Sequence, residues 1–262
     1  MNAQDRMMNN KWGIFNHYLY GSEKGATTLE EMAEEWNEYV NSFDTKRLAE
    51  TLHEIGCGYY CITVMQGTRF LLAPNEAYTK ITGIEPGMAC AERDLIRDIG
   101  EALREYDIDL FLYYTGDGPH FDKIAGPAMG LYEDYFAGIH GKVTPEFVSN
   151  WACVLEEYAV RYGDLVKGWW VDGCYESLGY NNELLSIYYN AITKGNPDAL
   201  TAFNSGTASF VSKDGSDTPI KWYENEGFTC GEDNDFTYME NESSDTCIVF
   251  ADELSANGDD RS

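Results

Sequence analysis

Five short apolar runs separated by stretches of helical periodicity constrain this chain more than any other feature of its 262 residues. The runs are residues 12–19 (WGIFNHYL), 59–64 (YYCITV), 109–115 (DLFLYYT), 166–172 (VKGWWVD) and 199–204 (ALTAFN), with a weaker sixth at 228–232 (FTCGE). Runs of that length, rich in β-branched and aromatic residues, read as strands buried on both faces. Between them, Thr28 and Glu31 have capping-box spacing and open a helix through about Val40. Asp44 caps a second helix with Leu48, Leu52 and Ile55 on one face, stopped at Gly56. Leu95, Ile96, Ile99 and Leu103 mark a helix over 93–106. Thr144 before Pro145 starts another, carrying Phe147, Trp151, Val154, Leu155 and Tyr158 and ending near Gly163. A further helix over 181–194 stops at Gly195 and Pro197.

Strand, loop, helix, strand is the order of a parallel sheet with crossover helices. The loops leaving the strands are long (66–90 and 116–141), and those entering them are short. That asymmetry predicts an α/β fold of the (β/α) TIM-barrel type, with functional loops at the C-terminal ends of the strands. A dinucleotide-binding sheet would need G-x-G-x-x-G after the first strand, and a nucleotide-binding loop G-x-x-x-x-G-K-[ST]; neither occurs. About six strands can be counted, where roughly 250 residues usually hold eight. The expectation is therefore a barrel domain over 1–240, incomplete toward its C-terminus, followed by an acidic segment, 241–262. That segment supplies at most one short strand at 247–251 and is otherwise read as a disordered end.

The charge balance removes several functions. With 45 acidic and 18 basic residues the formal net charge is −27, a field that repels phosphate backbones and anionic membranes. Neither a polybasic run, an apolar leader at the N-terminus, nor a stretch of ~20 apolar residues is present. The seven cysteines include no C-x-x-C pair and are read as reduced thiols, which points to the cytoplasm. The four histidines (17, 53, 120 and 140) fall in no H-x-x-x-H or H-E-x-x-H spacing, so neither metal nor other cofactor is expected. G-x-S-x-G is missing as well. Aromatics reach 14%, with 19 Tyr and 6 Trp. Most such side chains serve packing, but a sugar-binding cleft also draws on them, because ring faces pack on the C–H faces of sugars.

Polar residues at the ends of the strands are the candidates for chemistry: His17, Gln66, Tyr113 and Tyr114, Asp172, Asn204 and Ser205, and Glu232. Asp172 stands out because it ends the apolar run Trp169-Trp170-Val171. A carboxylate there is costly unless hydrogen-bonded or used. Glycoside hydrolysis needs two carboxyl groups flanking the scissile bond; Asp172 and an acid from 224–235 could supply them.

These residues carry a resemblance. The segment from Lys11 to Tyr20 (KWGIFNHYLY) is similar to the first-strand motif K-F-G-I-F-x-H-W-G of the family 29 glycoside hydrolases, the α-L-fucosidases. The stretch from Phe43-Asp44 to Tyr60 resembles that family's second motif, and Gly168 to Gly173 (GWWVDG) resembles its W-F-D-G strand. The resemblance implies a (β/α) barrel and a retaining exo-glycosidase acting on a glycan or small glycoside. It makes Asp172 the nucleophile and places His17 on the sugar hydroxyls, Trp170 beside the nucleophile and Tyr114 in the pocket wall. It leaves the acid/base less fixed: Glu232 is the choice, with Glu226 and Glu224 in reserve. The family's K-H-H-D-G-F motif is replaced by Val64 to Phe70 (VMQGTRF), where Gln66 must stand in for paired histidines. Its Glu-Trp pair has only Glu35-Trp36 as a counterpart, inside a helix. A non-catalytic carbohydrate-binding barrel is the alternative.

Overall fold

The computed structural model describes residues 2–21, 24–131, 142–204, 222–231, 247–250 and 254–255. Five strands follow the five strong runs: β1 (Gly13–His17), β2 (Tyr59–Thr63), β3 (Asp109–Thr115), β4 (Val166–Asp172) and β5 (Leu200–Phe203). They pair in parallel in the order β5-β4-β3-β2-β1, and a two-residue strand, β8 (Leu254–Ser255), adds on beyond β1. The weaker runs form β6 (Phe228–Gly231) and β7 (Cys247–Phe250), a separate parallel pair. Gly227 N–H donates to the Thr201 carbonyl, which brings the start of β6 against β5.

Alternation along each strand divides the core in two. Tyr60 and Ile62 of β2, Leu110, Leu112 and Tyr114 of β3, and Trp169 and Val171 of β4 enter one large apolar cluster with the helices. Cys61, Phe111, Tyr113, Trp170, Leu200, Ala202, Phe228 and Cys230 form a second cluster on the other face. Both faces are buried, which is why these strands read as continuous apolar runs.

The helices are α2 (Leu29–Ser42), α3 (Thr45–Glu54), α5 (Leu95–Arg104), α7 (Pro145–Tyr162) and α8 (Asn182–Gly195), with α1 (Ala3–Asn10), α4 (Glu76–Thr82) and α6 (Ala125–Met129) as shorter pieces. The expected caps are in place: Thr28 and Glu31 form a full capping box, and Asp44 and Thr144 accept from the backbone three residues on. Glu35 and Trp36 belong to α2. The Glu35 carboxylate accepts from Tyr20 Oη at 2.8 Å and the Trp36 indole donates to Leu71 O at 3.0 Å. Among the described residues no helix is long and apolar enough to cross a membrane.

Three helices were not expected, the shortest being α6 in the stretch 116–141 read as a loop. Loop 66–90 holds α4, capped by the buried Asn75, whose amide also donates to Val154 O at 3.0 Å. The polar N-terminus forms α1, which lies against the N-terminal end of β3. Arg6 Nε donates to both oxygens of the buried Asp109 (2.9 and 2.7 Å), and Asn10 Nδ2 adds a third bond at 2.7 Å. Met7 is the apolar side chain that α1 places in the second cluster.

Helix α8 packs along α7, and Gly195 at its end lies tight against Ala159. A Cβ there would overlap the backbone carbonyl of Ala159, which cannot rotate away. Gly195→Ala is expected to destabilise the fold by about 1–3 kcal/mol, read as a lower urea midpoint at unchanged m-value; an unaltered midpoint would show that the helices can part freely.

Candidate active site

The site is built where β1 to β5 end. Thr115, the last residue of β3, pairs with Asp172, the last of β4, so side chains two residues back share a face. Tyr113 and Trp170 therefore stand beside one another, with ring centroids 6.4 Å apart. Asp172 is partly exposed and satisfied on both oxygens: Tyr113 Oη donates to Oδ2 in a short hydrogen bond, and Asn204 Nδ2 donates to Oδ1 at 2.6 Å. Gln66 Nε2 donates in turn to Tyr113 Oη at 3.1 Å. His17 stands edge-on to Tyr113 at 5.0 Å and to Phe15 at 4.6 Å, and Phe15 stacks on Trp170 at 5.3 Å. Thr63 Oγ1 donates to Asn16 O (3.3 Å) and lies 2.7 Å from His17 Nδ1.

A second carboxylate lies close by. Asp117 accepts from the Thr115 hydroxyl, and its Oδ2 is 3.1 Å from His120 Nδ1, both side chains being about nine-tenths buried. Gly173 permits this approach: it has φ +70°, and a Cβ on it would stand 3.1 Å from Asp117 Cγ. Burial raises the pKa of Asp172 above the ordinary carboxylate value, and the Asp117 charge adds to the rise. The Tyr113 hydroxyl, the Gly173 N–H and the Asn204 amide oppose it. The Tyr113 phenol is held protonated, first by burial and then by the Asp172 charge.

His17, Gln66, Trp170 and Asp172 thus come together. Tyr114 does not join them. It is fully buried on the helix side of the sheet, donates to Trp151 O at 2.9 Å and stacks on that ring at 4.7 Å. Strand alternation gives the pocket position to Tyr113 instead. Glu226 is buried and accepts from the backbone N–H groups of Phe203 (2.6 Å) and Tyr223 (3.2 Å), so its carboxylate anchors the turn before β6 to the end of β5. Glu224 is exposed. Glu232 and Ser205 lie outside the described residues. Among the described residues no cluster of three or more His, Cys, Asp or Glu side chains could hold a metal ion.

A family model described as endo-alpha(1,4)-fucoidanase Mef1 matches residues 2–252. The chain belongs to that endo-fucoidanase family. Solved structures similar to it include an endo-fucoidan hydrolase of glycoside hydrolase family 107 (18% identity, TM-score 0.55, 82% of this chain and 56% of that one). They also include a bacterial fucosidase (19%, 0.60, 88% and 56%) and a family 29 α-L-fucosidase from Bacteroides thetaiotaomicron (21%, 0.57, 87% and 53%). The chain spans little more than half the length of each. No curated protein matches. The family 29 resemblance therefore holds for the fold, while the family shown is that of the endo-fucoidanases.

Two residues of this endo-fucoidanase family member's site, Asp117 and Phe15, were not singled out from sequence, and Tyr113, a candidate at the end of its strand, was passed over for Tyr114 as the pocket wall. The signal for Tyr113 was parity, since it shares a face with the residue that pairs with Asp172. Asp117 and His120 carried only their three-residue spacing in a Gly- and Pro-bearing turn. Electrostatics predicts opposite effects for two substitutions. Asp117→Asn removes a like charge and should lower the Asp172 titration midpoint, whereas Asn204→Ala removes a donor to the carboxylate and should raise it. Carbon-13 NMR of the labelled carboxyl reads both; movement in the same direction would overturn this account of the site.

Proposed function

We propose that this chain cleaves α-fucosyl linkages with retention of configuration, with Asp172 as the nucleophile. The observation that carries the reading is the Asp172 carboxylate held by Tyr113 and Asn204 at the ends of the strands, in a chain of the endo-fucoidanase family. Burial keeps the carboxylate poorly solvated, so when ionised it sheds little water on attacking carbon. One Asp172 oxygen bonds to the anomeric carbon as the glycosidic C–O bond breaks, and an acid protonates the departing oxygen. Water then attacks the glycosyl ester, gives its proton to that same group and frees Asp172.

Glu232, directly after β6, remains the proposed acid/base. The start of β6 lies against β5, whose end is followed by Asn204 on Asp172, and Glu232 follows β6 directly in the sequence, which supports the choice. His17 and Gln66 are suited to hydrogen-bond sugar hydroxyls, and the Phe15–Trp170 pair to wall the ring. The family's endo action favours a cut within a chain over the terminal removal expected from sequence. The same contacts support taking the sheet as the larger part of a (β/α) barrel, with β6 beyond β5 and β8 beyond β1.

Replacing Asp172 by Asn should lower turnover of an α-fucosyl substrate by about 10³-fold or more. Asp172→Gly should regain activity with azide and yield a fucosyl azide of inverted anomeric configuration. Full turnover by Asp172→Asn would refute the nucleophile assignment, and a wild-type chain that binds fucosides without hydrolysing them would make this a carbohydrate-binding protein. Activity should fall on the acid side with a midpoint above the ordinary aspartate value, because Asp172 must be ionised and its pKa is raised.

A further inference from the structure

We propose that Gln66 is a positioning residue that acts on Asp172 through Tyr113, its amide keeping the phenol's single proton directed at the carboxylate; this deepens the function proposed above and rests on it. The contacts form a line across three strand ends. Gln66 Nε2 lies 3.1 Å from Tyr113 Oη, and Tyr113 Oη is hydrogen-bonded to Asp172 Oδ2. An ionised carboxylate can only accept, so the phenol spends its one proton on Asp172 and can only accept from its other neighbour. That order requires Nε2 of the amide, not Oε1, to meet the phenol. A reversed amide would offer Oε1 and compete with Asp172 for the proton.

The backbone keeps Gln66 within reach. Val64 N–H donates to Tyr113 O at 2.9 Å, which carries the pairing of β2 with β3 one residue past β2. Gln66 O then accepts from Thr68 N at 2.7 Å, and Gly67 O from Phe121 N at 2.8 Å. Gly67 has φ +66°, and a Cβ on it would stand 2.6 Å from the Phe121 ring, so the turn that aims Gln66 needs glycine there. Tyr113 is buried, and bonds in such a line polarise one another: a donor on the phenol oxygen makes the phenol a stronger donor to the carboxylate. Gln66 thereby favours the ionised form of Asp172 without touching it. The other titratable groups around the pair are His17 on β1, Asp117 and His120 after β3, and Cys174 and Tyr175 after β4. All of them are retained when Gln66 alone is changed.

Carbon-13 NMR of the Asp172 carboxyl in the full chain reads the relay without substrate. Gln66→Met removes the donor and keeps the length, and should raise the proton affinity of Asp172 about two- to threefold. Gln66→Glu takes the phenol proton for itself and adds a charge, and should raise it about tenfold or more. In a Tyr113→Phe background, adding Gln66→Met should move the Asp172 midpoint no further. A Gln66→Met shift of equal size with and without the phenol, or no shift in either, overturns the relay. Gln66 is partly exposed, so these replacements empty no core position. Hydrolysis of an α-fucosyl substrate is measured alongside: if wild type hydrolyses none, the functional reading has failed, and the titrations still decide the role of Gln66.

Discussion

Placing an ionisable carboxylate at the end of an apolar strand obliges the surrounding structure to supply donors for it. Asp172 follows two tryptophans and a valine, and water alone does not solvate it. Tyr113 from β3 and the Asn204 amide beyond β5 supply the bonds, so the two neighbouring strands must run parallel, in register and to matched lengths. The pairing of Thr115 with Asp172 is what sets Tyr113 at the right height. Gly173 then serves a different end, letting a second carboxylate approach closely and raising the proton affinity of the first. The charged form is thus held by hydrogen bonds and disfavoured by burial and repulsion, the balance that the role proposed for it calls for.

The fold was legible wherever one rule governed many residues. Five strands and the long helices announced themselves through continuous apolar runs, 3.6-residue spacing and caps at Thr28, Asp44 and Thr144. Helix α1 was not legible because it buries a single methionine and owes its place to Arg6 and Asn10 on Asp109, a contact between distant parts of the chain that leaves no periodic trace. The capping Asn75 of α4 sat in a stretch whose prolines read as loop. In the site, Asp172, His17 and Gln66 could be picked because each ends or follows a strand, and Trp170 only through the resemblance of its strand to the W-F-D-G motif. Tyr114 was chosen over Tyr113 from a resemblance in position, whereas the face a side chain takes is fixed by pairing register. Glu226 shows the same limit: its acidity was visible, but its use as a backbone acceptor was not.

The family model and the similar solved structures are all named for fucose-linked substrates, yet this chain departs from the family 29 motif after its second strand. The paired histidines that family 29 uses after its second strand are absent, and Gln66 reaches the site through Tyr113 instead. Gln66 is a neutral amide and brings hydrogen bonding to this position without a charge of its own. His17, held by Thr63, then supplies the imidazole among the residues that meet around Asp172.

The clamp between Arg6 and Asp109 bears on how the chain assembles. The partners are separated by 103 positions, so α1, made before β3, has no Asp109 to dock on until β3 exists. During synthesis, at about 5–20 residues per second, α1 waits several seconds with its arginine in water, while β1 and β2 already have each other. The N-terminal helix therefore joins late, as a latch that closes over a sheet built without it, and it adds a long-range contact of the kind that slows folding.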